Sequence, residues 1–336
     1  MRDRIRGAFI GLAIGDAAGW PARRHRAALL APWTRRLGRE LDAFAEEHAV
    51  TTLPVPFALN QPVAPLAVGP SDDAEWLAWT ARTLGRDRAE AFGELSGRPG
   101  VRARISVRTA LDNLAAGVKP PASGHDNPHF FDDAAAVRAV AYGAAGADPR
   151  ADAEVTNAGD GVLAALAVAA AVREAVRGGD VHRAVEAALA ELPPDTAIGA
   201  AARLALEAAG RAEDAFAAVP ALDAALDDHV YSYGVAAAQT VPAALALAVA
   251  ARGGFASAVS AAACLPALAD SAPALTGALT GALSGYAALP ERWREAARTL
   301  AGCCLPDLAG TDLAAVADDL AASTTNETED DDEGAG

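Results

Sequence analysis

Apolar residues return at three- and four-residue intervals through most of this chain, in windows such as RLALEAAGRAEDAFAAV from Arg203 to Val219. That spacing lines one side of a helix, whereas the two-residue alternation of a half-buried strand is rare here. The pattern predicts helices over Asp3–Ala18, Asp73–Leu84, Val101–Gly117, Asp133–Ala145, Asp160–Val176, Val181–Glu191, Thr196–Ala209, Tyr233–Ala251, Phe255–Ala263, Ala272–Tyr286, Glu291–Cys304 and Leu313–Ala322. Between Trp20 and Pro70, prolines and a basic cluster from Arg23 to Arg39 interrupt it. That stretch reads as a short helix over Arg36–His48 and an extended loop. Glycines at Gly7, Gly11, Gly15 and Gly19, and again at Gly277, Gly281 and Gly285, stripe the two end helices. Each interior glycine costs a helix roughly 0.8–1 kcal/mol against Ala, so close backbone approach by another helix must offset it.

Composition narrows this picture to an all-α protein. Of 336 residues, 52% are hydrophobic but only 5% aromatic, so Ala, Leu and Val build the core. No tandem repeat or linker divides the chain, which reads as a single compact multi-helix domain over residues 1–322. Residues 323–336, STTNETEDDDEGAG, are acidic and poor in apolar groups and read as a disordered tail. The net charge of −16 argues against a nucleic-acid partner, which needs a basic stripe. Cys264, Cys303 and Cys304 show neither CxxC nor Cys/His spacing, consistent with a reducing, cytoplasmic setting. The N-terminal run is interrupted by Asp16 and reads as a packed helix, not a signal peptide. Val162–Val172, the longest apolar run, is too short to span a bilayer, so no membrane role is expected.

Polar groups gather in four places: Ser71-Asp72-Asp73, the loop and helix start from His125 to Arg138, EVTNAGDGV from Glu154 to Val162, and Asp270-Ser271. Each has a structural reading of its own. Ser71 is a good N-cap with acids in the first turn; Asp132, Asp133, Asp270 or Ser271 can cap, and Thr156 or Asn157 can close a turn. His125 and His129 suit either acid–base work or loop anchoring, and Phe130 and Phe131 either adenine stacking or core packing.

Taken in order, GAFIGLAIGDAAGWP, GPSDDAEW, DDAAAVRA, VTNAGDG and ADSAPALTGALTGAL resemble the motifs of the ADP-ribosylglycohydrolase family, from about Arg2 to Cys304. The resemblance implies that family's all-α fold and metal-assisted hydrolysis of an ADP-ribosyl N- or O-glycosidic bond on a small molecule or protein side chain. It implies one or two Mg2+ or Mn2+ ions held by Ser71, Asp72, Asp73, Asp270 and Ser271, with Asp72 and Asp73 catalytic and Asp16 supporting them. Hard divalent ions take such oxygen donors, polarise water and hold hydroxyls. His125, Asp133, Arg138 and Asn157 are the candidate substrate-binding residues. The family's first aspartate of the later motif is Leu268 here, its Asn-Gly is Asp133-Ala134 and its Thr-His is Thr156-Asn157. The lost carboxylate leaves a second expectation: binding of ADP-ribose or a nucleotide without turnover.

Overall fold

The glycine stripes of the two end helices lie against each other. A methyl group on Gly11 would sit 2.2 Å from the Gly277 carbonyl oxygen, and one on Gly277 would sit 2.1 Å from the Gly11 carbonyl oxygen. The two backbones are therefore in direct contact, running antiparallel, which is the close approach the missing side chains require.

The computed structural model describes residues 1–19, the single residue Glu47, and residues 69–226 and 235–333. The expected helix over Arg36–His48, the basic cluster, most of the proline-rich stretch and the start of the expected Tyr233–Ala251 helix lie outside the described residues. Among those described, the helices are α1 Arg2–Ala18, α2 Asp72–Arg82, α3 Arg88–Gly93, α4 Ile105–Ala115, α5 Ala122–His125, α6 Ala134–Ala145, α7 Arg150–Thr156, α8 Asp160–Val176, α9 Val181–Ala190, α10 Ala197–Gly210, α11 Ala215–Leu226, α12 Ala237–Ala250, α13 Phe255–Ala262, α14 Ala272–Ser284, α15 Glu291–Ala297 and α16 Leu313–Glu333. Among the described residues, three short 3-10 helices, Pro266–Leu268, Tyr286–Ala288 and Pro306–Leu308, and two isolated β-bridges, Asp132 with Ala236 and Thr299 with Asp312, accompany them. No helix among the described residues is long and apolar enough to cross a membrane.

The helices pack around two apolar clusters. The larger draws Phe9, Leu77, Phe92, Val140, Val168 and Leu279 from α1, α2, α3, α6, α8 and α14. The smaller joins α10, α11, α12 and α13 to Leu265, Leu268 and Ala272. Ala-rich surfaces let α6 lie closely on α8 and α10 on α12, so long, thin side chains are not needed to fill gaps.

Several boundaries differ from the sequence expectation. The helix expected over Val101–Gly117 begins at Ile105, and that expected over Glu291–Cys304 stops at Ala297. Thr299 then bridges to Asp312, and Gly302 turns with φ +71°, which ends regular helix. Helices α3, α5, α7 and α11 have no counterpart in the expected set, three of them being too short for a periodic signal. The last helix, expected over Leu313–Ala322, runs from Leu313 to Glu333. Its packed first turns meet the nucleation cost, so polar residues need only propagate it.

Gly11→Ala tests the helix contact. Overpacking costs about 1–3 kcal/mol or more against a propensity gain of about 1 kcal/mol. The thermal midpoint should fall clearly in calorimetry, opposite to the rise expected for Gly→Ala in an unobstructed helix.

Candidate functional site

Five helix ends come together at one end of the α1–α14 pair. Asp16 comes from the last turn of α1, Ser71, Asp72 and Asp73 from the start of α2, Arg104 from the position before α4, Asp133 from that before α6, and Ser271 from that before α14. Four of these are helix N-termini, whose positive ends favour carboxylates. Ser71, Asp133 and Ser271 occupy N-cap positions, yet none makes a side-chain cap hydrogen bond. Asp16 does the capping of α2 instead: its Oδ2 accepts the Ala74 N–H at 3.2 Å and the Ser71 N–H at 2.6 Å. The Ser71 hydroxyl is thereby free to donate to Asp16 Oδ1 at 2.5 Å, with Asp72 Oδ1 at 3.1 Å.

Arg104 sits in the middle. Its Nη2 donates to Asp73 Oδ1 at 2.5 Å and to Ser271 Oγ at 2.6 Å, and its Nη1 donates to Asp133 Oδ1. Its Nε lies 3.8 Å from Asp72 Oδ2. Asp73 and Asp133 are buried, and the Arg104 side chain is 11% exposed. Asp270 is partly buried at the start of the same turn into α14, and its charge acts on both Asp73 and Arg104. Burial opposes the Arg104 charge, but Asp73, Asp72, Asp132 and Asp270 together hold the guanidinium more firmly protonated than usual. Burial pushes the Asp73 carboxyl well up; Arg104 opposes this, while Asp72, Asp16 and Asp270 add to it. Burial and then the Asp72 charge raise Asp16 to about 7, against the hydrogen bonds from Ser71 and Ala74.

The remaining expected residues divide. Asn157 is buried, and its Nδ2 donates to the Phe130 carbonyl at 3.1 Å and to Asp132 O and Oδ1, each at 2.9 Å. Its Oδ1 accepts the Thr156 hydroxyl at 2.6 Å, and Thr156 Oγ1 in turn accepts from Arg138 Nη2 at 2.7 Å. Arg138 is wholly buried, with Nε on Asp152 Oδ2 at 2.7 Å and its guanidinium over the Phe92 ring. Arg138, expected at the substrate, has no exposed surface here and holds Thr156 and, through it, Asn157 from behind. His125 stands apart, exposed on α5 in the wall of a cavity of about 660 Å³ that Lys119, Arg150 and Asn157 also line.

The donors about Arg104 are all oxygens, the kind a hard divalent ion takes. Asp73 Oδ2, Asp132 Oδ2 and Asp133 Oδ2 are buried without a hydrogen-bond partner among the described residues. Against this, the guanidinium already engages Asp73, Asp133 and Ser271. Two unit charges 4 Å apart repel by about 4 kcal/mol at an effective dielectric of 20, and a divalent ion doubles that. Leu268, where the resemblance implies a carboxylate, is 4% exposed and packs in the smaller apolar cluster. The residues present do not fit a Mg2+ or Mn2+ ion while Arg104 stays in place. Glu75, Cys303 and Cys304 also bring ligand atoms within 4.8 Å of one another. Both Glu75 oxygens, however, are taken by the amides of Cys303 and Cys304, each at 2.7 Å, and of Leu305 at 2.8 Å, so Glu75 ties that loop to α2.

Arg104 has no distinctive signal in sequence. It is one of four arginines between Arg98 and Arg108, and only the fold brings it to acids 31 and 29 positions away.

An all-helical fold with hydroxyls and carboxylates gathered at helix N-termini defines a class that comparison makes specific. The model of the ADP-ribosylglycohydrolase family matches residues 1–329. This chain belongs to that family, whose members are hydrolases acting on ADP-ribosylated substrates. A solved structure described as an ADP-ribosylglycohydrolase-related protein complex shares the fold, with a TM-score of 0.58 and 21% identity over 95% of this chain and 97% of that one. Comparison with curated proteins gives no match.

The raised Asp16 carboxyl gives stability a pH dependence. Unfolded, Asp16 ionises near its ordinary value of 3.8; folded, it keeps its proton to about 7. Its contribution is full below the lower value and is lost as pH rises through the upper one. Asp16→Asn should flatten this part of the decline, read as a smaller drop in thermal midpoint from pH 4 to pH 7 than in the unsubstituted chain.

Proposed function

We propose that this chain binds an ADP-ribosyl group, carried by a small molecule or a protein side chain, at the acidic centre and holds it without metal-assisted hydrolysis. The observation that carries this reading is the Arg104 guanidinium on Asp73, Asp133 and Ser271. Metal-assisted activation of a water for attack at an anomeric carbon needs a cation with open positions facing the sugar. A guanidinium has no such positions; it donates hydrogen bonds in fixed directions. The buried Leu268 side chain supports the same reading, since it withdraws one oxygen donor from the motif. The free cysteines Cys264, Cys303 and Cys304 fit a reducing, cytoplasmic setting.

Metal-assisted hydrolysis is the second reading, favoured by the unpartnered second oxygens of Asp73, Asp132 and Asp133. Titration calorimetry with ADP-ribose, alongside release of ADP-ribose from ADP-ribosyl-arginine and ADP-ribosyl-serine, separates the two. The expected result is ADP-ribose binding unchanged by EDTA and release no faster than in the protein-free control. Release that depends on Mg2+ or Mn2+ and is abolished by Asp72→Asn establishes the second reading. Failure of ADP-ribose to bind, with no release, sinks both.

A further inference from the structure

We infer that Arg104 is a resident cation, fixed in the place a divalent ion would take, and that removing it opens a divalent-cation site in this chain. This deepens the proposed function and rests on the acidic centre being the functional site. Asp16, Asp72, Asp73, Asp132, Asp133 and Asp270 act on this small region, and the one cationic side chain that touches several of them among the described residues is Arg104. The other buried arginines nearby, Arg88 and Arg138, are paired to Asp152. Arg104 reaches residues from three separate helix starts, α2, α6 and α14, so it does the bridging that a metal does between distant ligands. Three buried carboxylate oxygens beside it remain without hydrogen-bond partners. With the guanidinium gone, Asp73, Asp133 and Ser271 regain the oxygens it engages, and the excess negative charge attracts a hard, oxygen-seeking ion. Asp133 belongs to the same arrangement: its side chain has no cap to make and no exposed surface, and its identified partner is Arg104.

The test is Mn2+ binding by the full chain, read by loss of the free-ion electron paramagnetic resonance signal, together with the thermal midpoint. The unsubstituted chain should show only weak Mn2+ uptake, unchanged by Asp73→Asn, and a midpoint insensitive to the ion. Arg104→Ala should take up Mn2+ at least tenfold more tightly, lose that gain when Asp73→Asn is added, and recover midpoint as Mn2+ is supplied. Arg104→Lys, which keeps a charge, should stay close to the unsubstituted chain in Mn2+ uptake. Arg104→Ala that folds yet gains no Asp73-dependent site overturns the inference. So does tight, Asp73-dependent Mn2+ binding by the unsubstituted chain. Where Arg104→Ala does not fold, Arg104→Gln refolded with Mn2+ replaces it; where neither folds, Mn2+ binding by the unsubstituted chain decides alone. ADP-ribose titration of that chain separates the two claims: its failure sinks the functional reading and leaves the Mn2+ result standing.

Discussion

Carboxylates taken out of water must be neutralised, and at this site a single guanidinium pairs directly with two of them, Asp73 and Asp133. Removing one member of a buried ion pair typically costs about 3–5 kcal/mol, because the other is left uncompensated. Here Asp73 and Asp133 share Arg104, so the three residues stand or fall together. The helix N-termini add partial positive charge, and the raised Asp16 and Asp73 carboxyls show that this compensation is incomplete. Side chains that would ordinarily cap α2, α6 and α14 are spent on the centre, with Asp16 capping α2 from another helix.

That arrangement depends on the contact between α1 and α14. Their backbones touch from Gly7 against Gly281 to Gly15 against Pro273, which fixes how far each helix extends past the other. The register sets the last turn of α1, with Asp16, beside the first turn of α14, with Ser271. A wider spacing would separate Asp16 from Ser71 and Ser271 from Arg104, so packing of the smallest residues governs the geometry of the most polar ones. Behind this layer, Arg138, Thr156, Asn157 and Asp132 form a continuous hydrogen-bonded line that ends beside Asp133. That line ties the buried Arg138 guanidinium to the helix start at Asp133.

Much of the helical framework was legible in the residues. The spacing of apolar positions located the longer helices, such as α8 over Asp160–Val176, and the paired glycine stripes pointed to helices meeting at short range. Short helices such as α3 and α7 escaped because six or seven residues carry too little periodicity, and the region after Ala297 escaped because its path follows a bridge to Asp312 and amides turned toward Glu75. At the site, motif order picked out Ser71, Asp72, Asp73, Asp270 and Ser271 as ligands of an ion and Asp133 as a substrate-binding residue, and gave Arg104 no role.

The sequence alone determined the helical class and the identity of the acidic residues, since both follow from local spacing and motif order. Tertiary structure decided what neutralises those acids. Arg104 resembles its neighbouring arginines until folding carries it across separate helix ends, and electrostatic pairing depends on distance in space, which no local pattern encodes.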